Sequence, residues 1–185
     1  MKQELNKHLI PLGIIFLITT IIWTIAKFSA LKIIFLFSGL LFGSFFLDFD
    51  HIIFWVFLKP NIEESRLAQI ALEKHDFASV LKLLEVTHKN HTSLIFHHYF
   101  AQVILALVSL FVFTSSNSTF GMAFLLALNI HLLVDEVDDF KHDPKHLQDW
   151  LFARETKQLP QKYLKHYLIV FAILIIIFLL LLIRS

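Results

Sequence analysis

No cysteine occurs anywhere in the chain, which excludes disulfides and thiolate metal sites at once. An excess of one charge is also missing: 16 Lys and Arg offset 15 Asp and Glu, for a net charge of +1. Without a basic excess there is no global field to draw in a nucleic acid, and none is expected as a partner. Internal repeats and low-complexity tracts are absent too, apart from the apolar runs. What the 185 residues hold instead is hydrocarbon. Apolar residues make up 57%, Phe alone counts 21, and mean hydropathy is +0.70. An ordinary soluble domain is about 45–50% apolar. The excess falls in long runs, so the chain is expected to be a single all-α, polytopic integral membrane domain.

Five runs predict five transmembrane helices, at about 9–26, 31–58, 94–113, 120–134 and 167–183. A bilayer core takes about 17–25 apolar residues as helix. The fourth run is short and holds Asn129 and His131. The first follows Lys2 and Lys7, so a cleaved signal peptide is its rival reading. Its apolar core exceeds the usual roughly 7–15 residues, and the small-residue site near Ser29-Ala30 is weak. The loop 61–90 mixes Ile62, Leu67, Ile70, Phe77, Val80 and Leu84 with charged residues, after a break at Pro60. That pattern predicts amphipathic helices at the membrane surface. In the second loop, 138–165, Trp150, Leu151 and Phe152 are expected to anchor at the interface.

Orientation follows from the basic residues of the loops. Lys2 and Lys7 precede the first span. The first long loop carries Arg66, Lys74, Lys82 and Lys89, and the second carries Lys141, Lys145, Arg154, Lys157, Lys162 and Lys165. The other side receives Lys27, Lys32 and Arg184. The bias puts the N-terminus and both long loops in the cytoplasm and the C-terminus outside, and the expected location is a prokaryotic cytoplasmic membrane.

On this topology the costly residues of the apolar runs share one depth. Asp48 and His51 lie in the cytoplasmic half of the second span. His88 and His91 open the third, and His131 and Asp135 end the fourth. Asp48 and His51 are spaced i,i+3, and His131 and Asp135 i,i+4, so each pair shares a helix face. A charge at the centre of a membrane helix costs roughly 2.5–3.5 kcal/mol, so such groups face one another or a cation. Asp and His without Cys suit a divalent metal: Zn first, with Mn, Fe or Ni as alternatives. Plainer readings stand beside this one. A cluster at the interface can simply be wet. Asp50 points to a different face from Asp48. His97 and His98 are adjacent, so at most one faces the site. His8 reads as an interfacial His. His75-Asp76 and His142-Asp143 have the composition of metal-binding dipeptides, and two residues carry little weight.

Three motifs carry a family resemblance. Asp48-Phe49-Asp50-His51 follows an apolar helix containing Gly39, Gly43 and Ser44; His88-Lys89-Asn90-His91-Thr92-Ser93 opens a helix; His131 precedes Asp135 by four. In this order, over about residues 35–139, the chain resembles the predicted membrane-bound metal-dependent hydrolases of bacteria and archaea, the YdjM type. It departs from that pattern at Leu47 (often Pro), at Lys89 (Arg) and in the order His91-Thr92-Ser93 (Thr-His-Ser). The resemblance implies a metal-dependent hydrolase. Asp48, His51, His131 and Asp135 would hold the metal, with His88 or His91 completing the set. Asp50 or a loop His would be the general base, and Lys89 would hold an anionic group. A site at headgroup depth suits a membrane lipid or lipid-linked phosphoester as partner. The alternative is a membrane cation-binding or transport protein built on the same His/Asp cluster. Oligomeric state is not encoded in any of these features.

Overall fold

The computed structural model describes residues 2–153 and 155–185, with side chains from Asn6 onward. Arg154 and the side chain of Lys2, both counted in the charge bias, lie outside the described residues. The fold is all-α. In chain order come α1 (Lys2–Ile25), α2 (Ala30–Phe46), α3 (Phe49–Ile53) with a π-helical turn (Phe54–Leu58), α4 (Glu63–Glu73) and α5 (Phe77–Thr87). A 3-10 turn (His88–Asn90), α6 (Tyr99–Ser115), α7 (Thr119–His142), α8 (Pro144–Leu151) and α9 (Gln161–Arg184) follow.

Among the described residues, four stretches are long and apolar enough to cross a membrane: Asn6–Ile25, Ala30–Leu58, Thr119–His142 and Gln161–Arg184. The fifth apolar helix, α6, has 17 residues, about 25 Å of rise. It begins at Tyr99 rather than at 94, because the backbone amides just before it are engaged elsewhere, as described below. The fourth span is longer than its apolar run: α7 stays helical through Asp135 and Asp138 to His142. Isoleucine, leucine and phenylalanine side chains on α1, α2, α6 and α9 lie exposed, among them Ile14, Phe42, Leu107 and Ile176. A hydrocarbon surround is the solvent that such a surface requires.

α7 is the central helix. It packs Met122, Leu126 and Leu132 against Leu36 and Leu40 of α2 and Phe178 of α9. Two glycines set the approach of α2. A Cβ on Gly39 would lie 2.6 Å from the Phe120 carbonyl oxygen and 2.7 Å from Ala123 Cβ. One on Gly43 would lie 2.5 Å from the Phe124 carbonyl oxygen and 2.6 Å from Ala127 Cβ. Small residues four apart on both helices allow this close membrane packing.

The ends of the bundle differ. At one end Lys7 Nζ donates to Asp138 Oδ2 at 3.0 Å, tying α1 to the polar end of α7. At the other, Trp23 Nε1 donates to the Ile183 carbonyl at 2.9 Å, and Lys32 Nζ to that of Ser185 at 2.7 Å. The N-terminal end of α1 and the C-terminus are therefore at opposite ends.

The loop 61–90 forms a helical hairpin. Its turn uses His75 at φ 55°, and Asp76 caps α5 by accepting from the Ser79 amide at 3.1 Å. The hairpin packs Ala68, Ala71 and Val80 against Phe54, Trp55 and Leu94. Asp143 likewise caps α8, accepting from the amides of Lys145 and His146. The aspartates of both His-Asp dipeptides are thus helix caps. Trp150, Leu151 and Phe152, expected at the interface, are instead buried with Leu147 and Leu164. Trp150 can turn inward because its indole N–H has an acceptor, Asp139 Oδ2, at 2.6 Å.

Candidate metal centre

The polar residues of the apolar runs meet in one cavity of about 330 Å³, at the Lys7–Asp138 end. α7 supplies His131 and Asp135, one turn apart. The break after α2 supplies Asp48, and α3 supplies His51. The segment between the 3-10 turn and α6 supplies His97, and the N-terminal part of α1 supplies His8.

Asp135 is the centre of the cluster. Its Oδ2 lies 3.2 Å from His131 Nε2 and 3.7 Å from His97 Nε2, and its Oδ1 lies 3.3 Å from His8 Nε2. Asp48 Oδ1 is 3.9 Å from His131 Nε2. The rings of His8 and His131 stack with centroids 4.0 Å apart. One donor atom each from His8, His131 and Asp135 lies within 4.8 Å of the other two, a spacing one cation can span.

The histidines are held from behind. His131 Nδ1 donates to the Ser44 carbonyl at 2.8 Å. Ser44 lies in the last turn of α2, where carbonyls run out of partners along the helix. The close approach at Gly43 brings that carbonyl within reach. His97 Nδ1 donates to Asp50 Oδ2 at 3.1 Å. His51 Nδ1 and His91 Nδ1 are 2.6 Å apart, and His91 Nε2 is 2.7 Å from Glu64 Oε1. A carbonyl and a carboxylate only accept, so the Nδ1 of His131 and of His97 carries its proton. Nε2 is then the nitrogen turned to the cavity. Metal-ligating imidazoles show this arrangement, with the far N–H fixed by a carbonyl or carboxylate.

Asp50 answers why two carboxylates lie so close together in an apolar run. It is fully buried and does not line the cavity. Its Oδ1 accepts from the Ile95 amide at 3.0 Å, and its Oδ2 accepts from the Phe96 amide at 2.6 Å as well as from His97. The general-base position given to it by its motif is therefore not the position it occupies; the carboxylate holds the wall of the cavity. These bonds also take the amides that would otherwise begin α6 earlier.

The other expected residues divide. His88 lines the cavity, and its Nδ1 donates to the Leu84 carbonyl at 3.1 Å. His91 lines the cavity too, but both its ring nitrogens are engaged, by His51 and by Glu64, and Phe54 stacks on it at 4.1 Å. Burial lowers the His91 pKa, and the hydrogen bond and charge of Glu64 only partly oppose this. Lys89 stands at the mouth, 3.8 Å from Asp138. His98 turns away and lines a separate apolar groove with Phe96 and Ile104. Two participants were missed in the sequence: His8 reads as interfacial, and Glu64 is not set apart from the other charged residues of the loop 61–90. Of His97 and His98, adjacent in the sequence, it is His97 that faces the cavity.

No family model matches the chain, and no curated protein or solved structure matches it either.

Proposed function

We propose that the protein is a metal-dependent hydrolase acting on a lipid or lipid-linked phosphoester at the cytoplasmic side of a membrane. One observation carries the reading: His131 and His97 each have Nδ1 fixed by an acceptor behind them and aim Nε2 at the same carboxylate, Asp135. His131, His97 and Asp135 would hold the ion, with His8 and His51 beside them. A bound divalent ion, Zn by the donor set, would polarise the ester and lower the pKa of water toward neutrality.

The chain's own groups divide the remaining work. Asp48, with 42% of its side chain exposed against 29% for Asp135, is the carboxylate best placed to accept a proton in the cavity. Lys89 at the mouth suits an anionic headgroup. The apolar flanks of the spans would leave the substrate's tails in the bilayer. The cytoplasmic placement rests on the Lys and Arg bias, and the lipid substrate on the depth of the site. Transport is less well supported. Deeper in the bundle, Asn129 and Ser109 are fully buried, with Asn129 Nδ2 donating to Ser109 Oγ at 2.9 Å, so neither lines an open path.

Elemental analysis of the purified protein tests the centre, and a panel of phospholipids and lipid-linked phosphates in nanodiscs tests the substrate. Wild type should hold a divalent ion that Asp135→Asn and His131→Ala lose while still inserting. Equal metal content in all three proteins would show that the cluster is not the site. A metal-loaded protein that cleaves nothing on the panel removes the phosphoester reading and favours cation binding.

A further inference from the structure

A carboxylate from outside the spans reaches the cavity through two histidines. Glu64 lies in the first turn of α4, on the hairpin, 27 residues before His91 and outside the apolar runs. Its Oε1 is 2.7 Å from His91 Nε2, and His91 Nδ1 is 2.6 Å from His51 Nδ1. The direction of every bond in this chain follows from its first member. A carboxylate only accepts, so His91 Nε2 carries a proton. A neutral His91 then has a bare Nδ1, which accepts. His51 must therefore be the donor from Nδ1, which leaves its Nε2 without a proton on the side of the cavity. Packing supports the geometry. Phe54 stacks on His91 at 4.1 Å, and Trp55 meets its edge at 5.6 Å, so the ring cannot swing away.

We propose that Glu64 and His91 are positioning residues that set the tautomer of His51 and present its Nε2 to the metal centre. The proposal rests on the metal-centre reading for its purpose, but the tautomer itself does not depend on a metal. Without Glu64, His91 can carry its proton on either nitrogen, and the His51–His91 bond can run either way. His51 would then divide between two tautomers, one of which blocks Nε2 with a proton. Glu64→Gln keeps an acceptor oxygen for His91 and should behave as wild type. Glu64→Leu removes the acceptor. His91→Phe removes the Nδ1 acceptor while keeping a ring between Phe54 and Trp55.

The test uses the full chain in nanodiscs with 15N-labelled histidine. Metal-free wild type and Glu64→Gln should show His51 with Nδ1 protonated and Nε2 bare, and Glu64→Leu and His91→Phe should show a mixture. Titration with cobalt(II), followed by its visible absorption, is the second arm. Loss of an outer partner of a metal-ligating His typically costs 10–100-fold in affinity, so both disruptive variants should bind that much more weakly and with an altered spectrum. Glu64→Gln should remain within a few-fold of wild type. An unchanged His51 tautomer in Glu64→Leu and His91→Phe overturns the proposal, as does a wild-type His51 protonated on Nε2. A wild type that takes up no cobalt while the tautomers shift as expected removes the metal-centre reading and leaves the positioning chain in place.

Discussion

Gly43→Ala adds one methyl group where α2 meets α7, and its effect can be worked from two opposed terms. Alanine is favoured over glycine inside a helix by about 1 kcal/mol. Against this, the new Cβ would lie 2.5 Å from the Phe124 carbonyl oxygen and 2.6 Å from Ala127 Cβ. Non-bonded carbon atoms sit best about 3.5–4.0 Å apart, so the helices must separate by about 1 Å. Both obstacles belong to α7 itself, one backbone and one Cβ, and neither can rotate aside. Overpacking of this kind costs about 1–3 kcal/mol, which cancels or exceeds the propensity gain. The separation also acts on the site. It would stretch the 2.8 Å bond from His131 Nδ1 to the Ser44 carbonyl, one residue along, beyond hydrogen-bonding range. Gly13→Ala is the control: it has the same propensity gain, and nothing lies within 4 Å of its added Cβ. Thermal unfolding in detergent should show Gly13→Ala equal to or above wild type and Gly43→Ala at or below it. Zinc or cobalt titration should show Gly43→Ala weaker by about 10–100-fold, the usual cost of losing an outer partner. A Gly43→Ala protein with a raised melting temperature and wild-type metal affinity would refute both the helix contact and its link to His131.

Asp50→Asn should lower stability and metal affinity together. It places an amide among the amides of Ile95 and Phe96 and the His97 ring, and an unsatisfied buried group costs about 1–3 kcal/mol. Stable, metal-loaded Asp50→Asn protein without turnover would return Asp50 to the general-base role. Reporter fusions at Ser116, between α6 and α7, and at Gln158, before α9, should report opposite sides of the membrane, and a shared side would overturn the five-span topology.

How far the sequence led depended on the distance between partners along the chain. Asp48, His51, His131 and Asp135 could be singled out because helical spacing pairs them locally and a charge inside an apolar run needs a reason. The amphipathic hairpin was legible from its mixed composition. The break after α2 was not legible: the run 31–58 reads as one span, whereas α2 ends at Phe46 and α3 begins at Phe49. The backing groups were not legible. Ser44 meets His131 from 87 residues away, and Asp50 meets His97 from 47. Neither spacing has a period. Asp50 was seen to point away from Asp48, and helix geometry gave that; what it pointed at required the fold. The third and fourth spans were misjudged for related reasons. Polar residues at the site end shortened the apparent run of α7, which is helical to His142, and the bonds to Asp50 removed 94–98 from α6.

The wall held by Asp50 is one residue thick. Leu94 and His97 face the cavity, whereas Ile95, Phe96 and His98 face the apolar groove on its other side. Its register is therefore discrete. Inserting one residue between His91 and Leu94 would shift the chain by one place past a fixed carboxylate, and Phe96 would stand where His97 stands. Deleting one would bring His98 there. The spacing between the 3-10 turn and α6 thus belongs to the site as much as any side chain does. The stretch 155–160, before α9, is held by Tyr99 at the Glu155 carboxylate and by Gln148 at the Leu159 carbonyl, neither of which lines the cavity, and a change of length there should leave the cavity as it is.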